Sequence, residues 1–453
     1  MRKDELILYT DFQDGEILDG MAWIMEHFKE ARASEEDDDG GSDGGGHTVS
    51  AKWQQARRML YRNIHRLMEL AGTHGFHGNL WHCYLANLLV NSENSYSCGC
   101  EIRGEIEGTV NDAALHDIVI FKEFYDYDFA PMCGELRVPE FSMVENYVGS
   151  RAGSKVYNAR ICARICELAE RFNRDHTPEE MKATLTEFYK EYGVGKFGLH
   201  KSFRVAHDEK GVHIEPILNI AHVSLGDLVG YELQKKKLTD NTDAFVEGRK
   251  ANNCLLFGDA GTGKSSCIKA IANEYYGKGL RIIEVYKHQF QDLHEVISQI
   301  KKRNYRFIIY MDDLSFEDFE IEYKYLKAVI EGGLEKKPEN VLIYATSNRR
   351  HLIRENYGDK EEIRQDMHTG DTVQEKLSLV YRFGVTIYFG APDKKQFQAI
   401  VRTLADRYGV DVPEEELLAQ ANQWELSHGG LSGRSAQQFI DYILGTGPAR
   451  QNA

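Results

Sequence analysis

The sequence predicts an open parallel α/β sheet of about five strands, preceded by a mostly α-helical domain and followed by a small helical lid. Apolar runs of strand length at Cys254–Phe257, Arg281–Tyr286, Phe307–Met311, Val341–Thr346 and Val385–Phe389 alternate with helical stretches. That alternation puts parallel strands between two helical layers. Ahead of the strands, apolar residues recur at helical spacing from Trp53 to about Tyr192, and three amphipathic patterns follow Pro392. A chain of 453 residues has room for two or three domains.

Taken in order, residues 1–52 read as an N-terminal segment whose last part, Ser34 to Gly46, is an acidic glycine-rich linker. Charge repulsion and glycine entropy both oppose packing there. Residues 53–200 form the helical domain: Met59, Ile64, Leu67, Met68 and Leu70 mark one helix face, and Ile161, Ile165 and Leu168 mark another. Residues 201–224 read as a connection, with short strands or extended chain suggested by Val205, Val212, Ile214 and Ile217. The α/β domain spans 225–391, the lid 392–447 and a tail 448–453.

Hydrophobic residues at 42% and charged residues at 28% exclude a disordered, collagen-like or disulfide-scaffold protein. The net charge of −16 disfavours nucleic acid as an electrostatic partner. Six acids of the Ser34 to Gly46 stretch account for part of it, leaving −10 for the rest. With no signal peptide, no apolar run approaching a membrane span and eight cysteines without a CxxC pair, the expectation is a soluble cytoplasmic protein with reduced thiols.

The chemistry concentrates at three strand ends. Gly258-Asp259-Ala260-Gly261-Thr262-Gly263-Lys264-Ser265 fits GxxxxGK[ST], directly after a strand and before a helix, with Ser266 next. Its glycines let consecutive N–H groups point at phosphate oxygens while the helix presents its positive end. Lys264 is expected to reach the β- and γ-phosphates and Ser265 to ligate Mg²⁺. The strand ending at Met311 runs into Asp312 and Asp313, expected to hold the metal and to orient the attacking water respectively. Asn348, after the next strand, is positioned to hydrogen-bond that water or the γ-phosphate. The implied cofactors are ATP and Mg²⁺, and the implied class is a P-loop NTPase.

With GDAGTGKSS, FIIYMDDLSFED, VLIYATSNRRHLI, EKLSLVYRFG and GGLSGRSAQQF in this order from about Leu225 to Leu444, the chain resembles an AAA+ ATPase. Within that class it resembles the predicted ATPases catalogued as domain of unknown function 815. The resemblance implies an ATPase in which Asn348 is the first sensor, Arg382 the arginine finger, Arg434 the second sensor, and Leu228, Val229, Gly230 and Tyr231 the adenine pocket. A finger acting in trans implies a homo-oligomer, as a ring or filament. Arg349 and Arg350 compete with Arg382 for that role. Where AAA+ proteins usually carry Glu after the metal-binding Asp, this sequence has the shorter Asp313. Either the water sits closer, Glu317 assists, or hydrolysis is slow and the protein works as a switch.

Two functions follow: an ATPase that remodels a protein client recognised by the helical domain, or an ATP-gated loader or scaffold, possibly on nucleic acid, with little turnover. Three other features are read as structural. His74, His77, His82 and Cys83, with Cys98 and Cys100, lack a recognised metal-ligand spacing. The run Phe121 to Phe129 reads as interior packing, and the basic clusters at Lys235 to Lys237, Lys301 to Arg303 and Arg349-Arg350 as solvated or salt-bridged.

Overall fold

The computed structural model describes residues 2–36, 46–149, 156–157, 159–209, 211–218, 220–316, 322–331, 338–348 and 379–446. It divides into two compact units, Met1–Leu199 and His200–Ala453. No helix among the described residues is long and apolar enough to cross a membrane.

The first unit is helical: α1 (Gly15–Glu36), α2 (Gly46–His74), α3 (Leu80–Asn91), α4 (Ser95–Arg103), α5 (Thr109–Tyr125), α6 (Ala130–Leu136), α7 (Ser142–Glu145), α8 (Ala159–Arg174), α9 (Pro178–Tyr192) and α10 (Gly195–Leu199). At its centre lies α3, whose residues from Leu80 to Val90 are almost all buried and whose entry is capped by the Asn79 side chain accepting from the His82 N–H. On α8, Ile161, Ile165, Leu168 and Phe172 face the core, and the aromatic run contributes buried Phe121, Phe124, Tyr125 and Phe129.

The N-terminal segment differs from expectation. Rather than standing outside the helical domain, α1 buries Leu18, Met21, Ile24 and Met25 in the same core, a helical periodicity of the kind that marks α8. The chain before it is tied down as well: the fully buried Asp117 carboxylate accepts the N–H groups of Ile7, Leu8 and Tyr9 at 2.7–3.1 Å. Three donors compensate the cost of burying that charge. Most of the acidic linker, 37–45, lies outside the described residues.

In the second unit the chain runs β1 (Ser202–Asp208), β2 (Gly211–Pro216), α11 (Glu232–Val246), β3 (Cys254–Gly258), α12 (Lys264–Tyr275), β4 (Leu280–Glu284), α13 (Leu293–Ile300), β5 (Arg306–Met311), α14 (Glu322–Glu331), β6 (Val341–Ser347) and β7 (Val385–Phe389). These strands form one sheet in the order β2-β1-β4-β5-β6-β3-β7. All neighbours are parallel except the β1–β2 hairpin. The five expected strands are present, but the segment read as a connection adds two more. Phe203, Val205 and Ile214 are buried and β1 pairs with β4, so the hairpin extends the sheet.

Continuous apolar strands are what a two-faced sheet requires. One face of Cys254, Leu256, Ile308, Leu342, Tyr344 and Phe389 packs against Leu238 and Phe245 of α11 and Ile268 and Ile271 of α12. The buried Tyr344 hydroxyl is satisfied there by Thr242 at 2.9 Å and Asn241 at 3.0 Å. After β7, three lid helices, Lys394–Tyr408, Glu414–Ser427 and Gly433–Thr446, close on Phe397, Val401, Ala421, Phe439 and Ile440.

Candidate functional site

The sheet order brings the three chemical segments to one edge. Pairing of Phe257 with Ser347 and of Met311 with Ala345 aligns the carboxyl ends of β3, β6 and β5, so the chain leaves them at Gly258, Asn348 and Asp312 side by side. Ligands of open α/β sheets bind at this edge.

The loop after β3 takes its shape from glycine. Gly258 has φ +135°, and a Cβ there would lie 2.1 Å from the Phe389 carbonyl oxygen of β7, so no other residue fits. Gly261 and Gly263, at φ +73° and +88°, turn the chain into α12. Lys264 opens that helix, 5% exposed, its Nζ donating to the Gly258 and Asp259 carbonyls at 3.1 and 2.7 Å. Burial pushes its ammonium below the ordinary value, against the pull of Asp259, Asp313 and Asp312. The Asp259 side chain turns away from the cleft and accepts the Ala391 N–H at 2.7 Å.

Ser265, one residue on, donates to Asp312 Oδ1 at 2.7 Å, and buried Thr346 donates to the same oxygen at 2.5 Å. The Thr346 hydroxyl also accepts the Asp313 N–H at 3.0 Å, and the Leu314 N–H bonds its carbonyl at 2.7 Å. Tyr310, on the same face of β5 as Asp312, turns its buried hydroxyl toward that carboxylate, outside hydrogen-bond geometry. Burial opposes the charge on Asp312, and the hydrogen bonds of Thr346 and Ser265 outweigh it and hold the carboxyl below its usual range. Asp313 sits at φ +50°, strained for a non-glycine residue, and its Oδ1 accepts from Asn348 Nδ2 at 2.8 Å.

These groups open into a cleft of about 830 Å³ between the sheet edge and the lid. Ala260 to Ser266, Leu228, Val229, Tyr231, Asp312, Asp313, Asn348 and Arg434 all line it. Arg434 enters from the last lid helix, its N–H on the Gly261 carbonyl at 3.3 Å. Gly230 is absent from the lining and serves the turn, at φ +79°. Arg382 is also absent from it: it stands in the turn before β7, N–H on the Leu379 carbonyl at 3.3 Å, half-buried. Glu317, Arg349 and Arg350 lie outside the described residues.

Sequence reading missed Thr346 and the lid residue Arg407, which lines the cleft and pairs with Asp227 at 3.3 Å. A hydroxyl immediately before the polar end of β6 was the available signal for Thr346; nothing local marks Arg407.

A family model described as Protein of unknown function (DUF815) matches residues 199–447, more than half of the sequence. The chain belongs to this family. Its phosphate loop after β3, acid pair after β5 and helical lid after β7 make it a P-loop domain of the AAA+ type, a nucleotide-binding fold. Among solved structures, the FIGL-1 AAA domain in complex with ADP is similar to this DUF815 chain at 17% identity and a TM-score of 0.34, over 50% of this chain and 75% of that one. The Thermotoga maritima RuvB Holliday junction branch migration motor is similar at 14% identity and a TM-score of 0.31, over 49% and 72%. Comparison with curated proteins finds no match.

The site's own geometry fits a magnesium nucleotide. In an octahedral Mg²⁺ shell adjacent oxygens lie about 2.9 Å apart, close to the 2.7 Å between Ser265 Oγ and Asp312 Oδ1. Because the Thr346 hydroxyl both donates to Asp312 and accepts the Asp313 N–H, reinforcing the direct 3.2 Å bond from that N–H to Asp312 Oδ1, Thr346→Val is expected to weaken the magnesium dependence of nucleotide binding about 10–100-fold, the usual cost of losing a metal-orienting partner. Nucleotide titrations at stepped Mg²⁺ concentrations measure it, and an unchanged Mg²⁺ midpoint would remove Thr346 from the metal's support.

Proposed function

We propose that this chain is an ATPase whose cleft holds Mg-ATP between the loop after β3 and the lid. The observation that carries the reading is the single hydrogen-bonded group Ser265, Asp312, Thr346, Asp313 and Asn348 standing beside the glycine-shaped loop. The loop N–H groups and Lys264 bind the phosphates, and Leu228, Val229 and Tyr231 receive the base. Ser265 and Asp312 would hold a magnesium ion, which would supply positive charge beside the phosphate oxygens. Asp313 takes the proton of the attacking water, with Asn348 and Thr346 holding its position. Arg434 binds the γ-phosphate from the lid, so hydrolysis changes the lid angle.

Placement of Arg382 outside its own cleft supports supply of this arginine to a neighbouring subunit, and head-to-tail contact of that kind makes a ring or filament. Arg382→Ala is expected to keep ATP affinity and lose about 10³-fold or more in kcat. Mixing it with a Lys264→Ala partner restores part of the phosphate release, since one mixed interface keeps both groups. No recovery in demonstrably mixed assemblies would refute action in trans. In this reading the helical unit recognises a protein client and the lid motion remodels it.

A second reading, an ATP-gated switch with little turnover, is favoured by one contact: Asn348 Nδ2 donates to Asp313 Oδ1 and so takes up one of the two oxygens that could accept a proton from water. Phosphate release by the wild-type chain separates the two. Sustained turnover supports the remodeller, and tight binding with release slower than nucleotide exchange supports the switch.

A further inference from the structure

The helical unit brings together side chains that are scattered in sequence. His77 lies in the turn between α2 and α3, Cys83 in the first turn of α3, and Cys162 and Cys166 four residues apart on α8, hence on one face of it. Cys83 Sγ is 3.8 Å from Cys166 Sγ, and Cys166 Sγ is 3.7 Å from His77 Nδ1. The ligand atoms of His77, Cys162 and Cys166 all lie within 4.8 Å of one another, and Cys83, outside that mutual set, meets it at Cys166. No other group of three such residues converges in this way among the described residues. The remaining candidates go elsewhere: His74 bonds the Leu70 carbonyl and His82 the Tyr125 carbonyl, while Cys98 and Cys100 sit on α4.

We propose that His77, Cys83, Cys162 and Cys166 bind one zinc ion as a closed Cys₃His site. A tetrahedral ion with Zn–S of about 2.3 Å and Zn–N of about 2.0 Å holds its sulfurs about 3.8 Å apart and a sulfur and nitrogen about 3.6 Å apart. Two edges of that tetrahedron are already at length. Cys162 and Cys83 also donate to local carbonyls, Cys162 to Gly75 at 2.8 Å and Cys83 to His77 at 3.4 Å. Binding removes those protons and turns the sulfurs onto the metal. Three soft sulfurs and an imidazole select zinc over oxygen-preferring cations. All three cysteines are buried while His77 is exposed, so the ion enters from the His77 side. Four ligands leave no open position for a substrate, so the site is structural: it pins α8 to the α2–α3 turn.

Full-length protein prepared without chelator is expected to carry about one zinc per chain by elemental analysis. Cobalt added to the metal-free chain should give the intense visible bands of a tetrahedral thiolate complex. Cys162→Ser with Cys166→Ser is expected to lose the metal, and Cys133→Ser, outside the cluster, to keep it. Should the double variant fail to fold, His77→Ala at its exposed position decides: it is expected to keep its circular dichroism and yield zinc to a chelator faster than the native chain. The proposal is overturned by sub-stoichiometric metal with no cobalt bands, by a double variant that retains zinc, by unchanged zinc release in the folded His77→Ala chain, or by a Cys83–Cys166 disulfide in the metal-free native protein.

Discussion

Lys264→Ala is expected to lower ATP affinity about 100-fold while leaving the helical unit's melting unchanged. The ammonium is buried at the mouth of the loop, where two backbone carbonyls accept from it. Phosphate replaces those carbonyls with charged acceptors. A hydrogen bond between charged groups is worth about 1.5–3 kcal/mol, and each 1.4 kcal/mol is tenfold in affinity. Calorimetric titration with ATP measures the loss. Unchanged affinity would move the phosphates off this loop and take the proposed function with it. The zinc site, in the other unit, is independent of this variant, so retained zinc together with lost ATP binding is the combination expected.

Asp313→Asn is the second large effect: ATP should bind within a few-fold of wild type and remain uncleaved, with kcat lower by about 10²–10⁴-fold, the range for loss of a general base. The substitution keeps the shape, the Asn348 contact through an amide oxygen, and the backbone N–H bond to Thr346. Only the capacity to accept a proton is removed. Single-turnover phosphate release, with nucleotide binding measured in parallel, separates the two effects. Turnover equal to wild type would pass the role to Glu317, which lies outside the described residues. Asp313→Glu tests reach: a faster variant shows that the missing methylene limits the native enzyme, whereas a slower one shows that the strained backbone at φ +50° already brings the carboxylate close enough.

Those two residues were legible because their positions follow from local rules. A glycine-rich turn between an apolar strand and a helix dictates its own backbone, and two acids following an apolar strand must emerge at its carboxyl end. The P-loop, the acid pair and Asn348 could therefore be placed at one edge once the strands were read as parallel. The hairpin Ser202–Pro216 was harder, because short strands at a sheet margin carry few apolar residues and gain their order from pairing with β4. The helix Gly15–Glu36 was overlooked for a different reason: the acidic stretch that follows dominates the composition of its neighbourhood, although Leu18, Met21 and Met25 already have helical spacing.

Sequence alone therefore determined the phosphate loop, the acids beside it, the parallel sheet and the lid, since each depends on contacts within a few residues or on a periodicity that repeats along the chain. Tertiary structure decided what depends on convergence. Thr346 can bridge Asp312 and the Asp313 N–H only because β6 lies beside β5, and Arg407 reaches Asp227 only when the lid folds over the sheet edge. The plainest case is the thiol cluster: His77 and Cys83 have no recognised spacing with Cys162 and Cys166, and no local rule relates them. Packing of α3 and α8 in one hydrophobic core sets their sulfurs 3.8 Å apart.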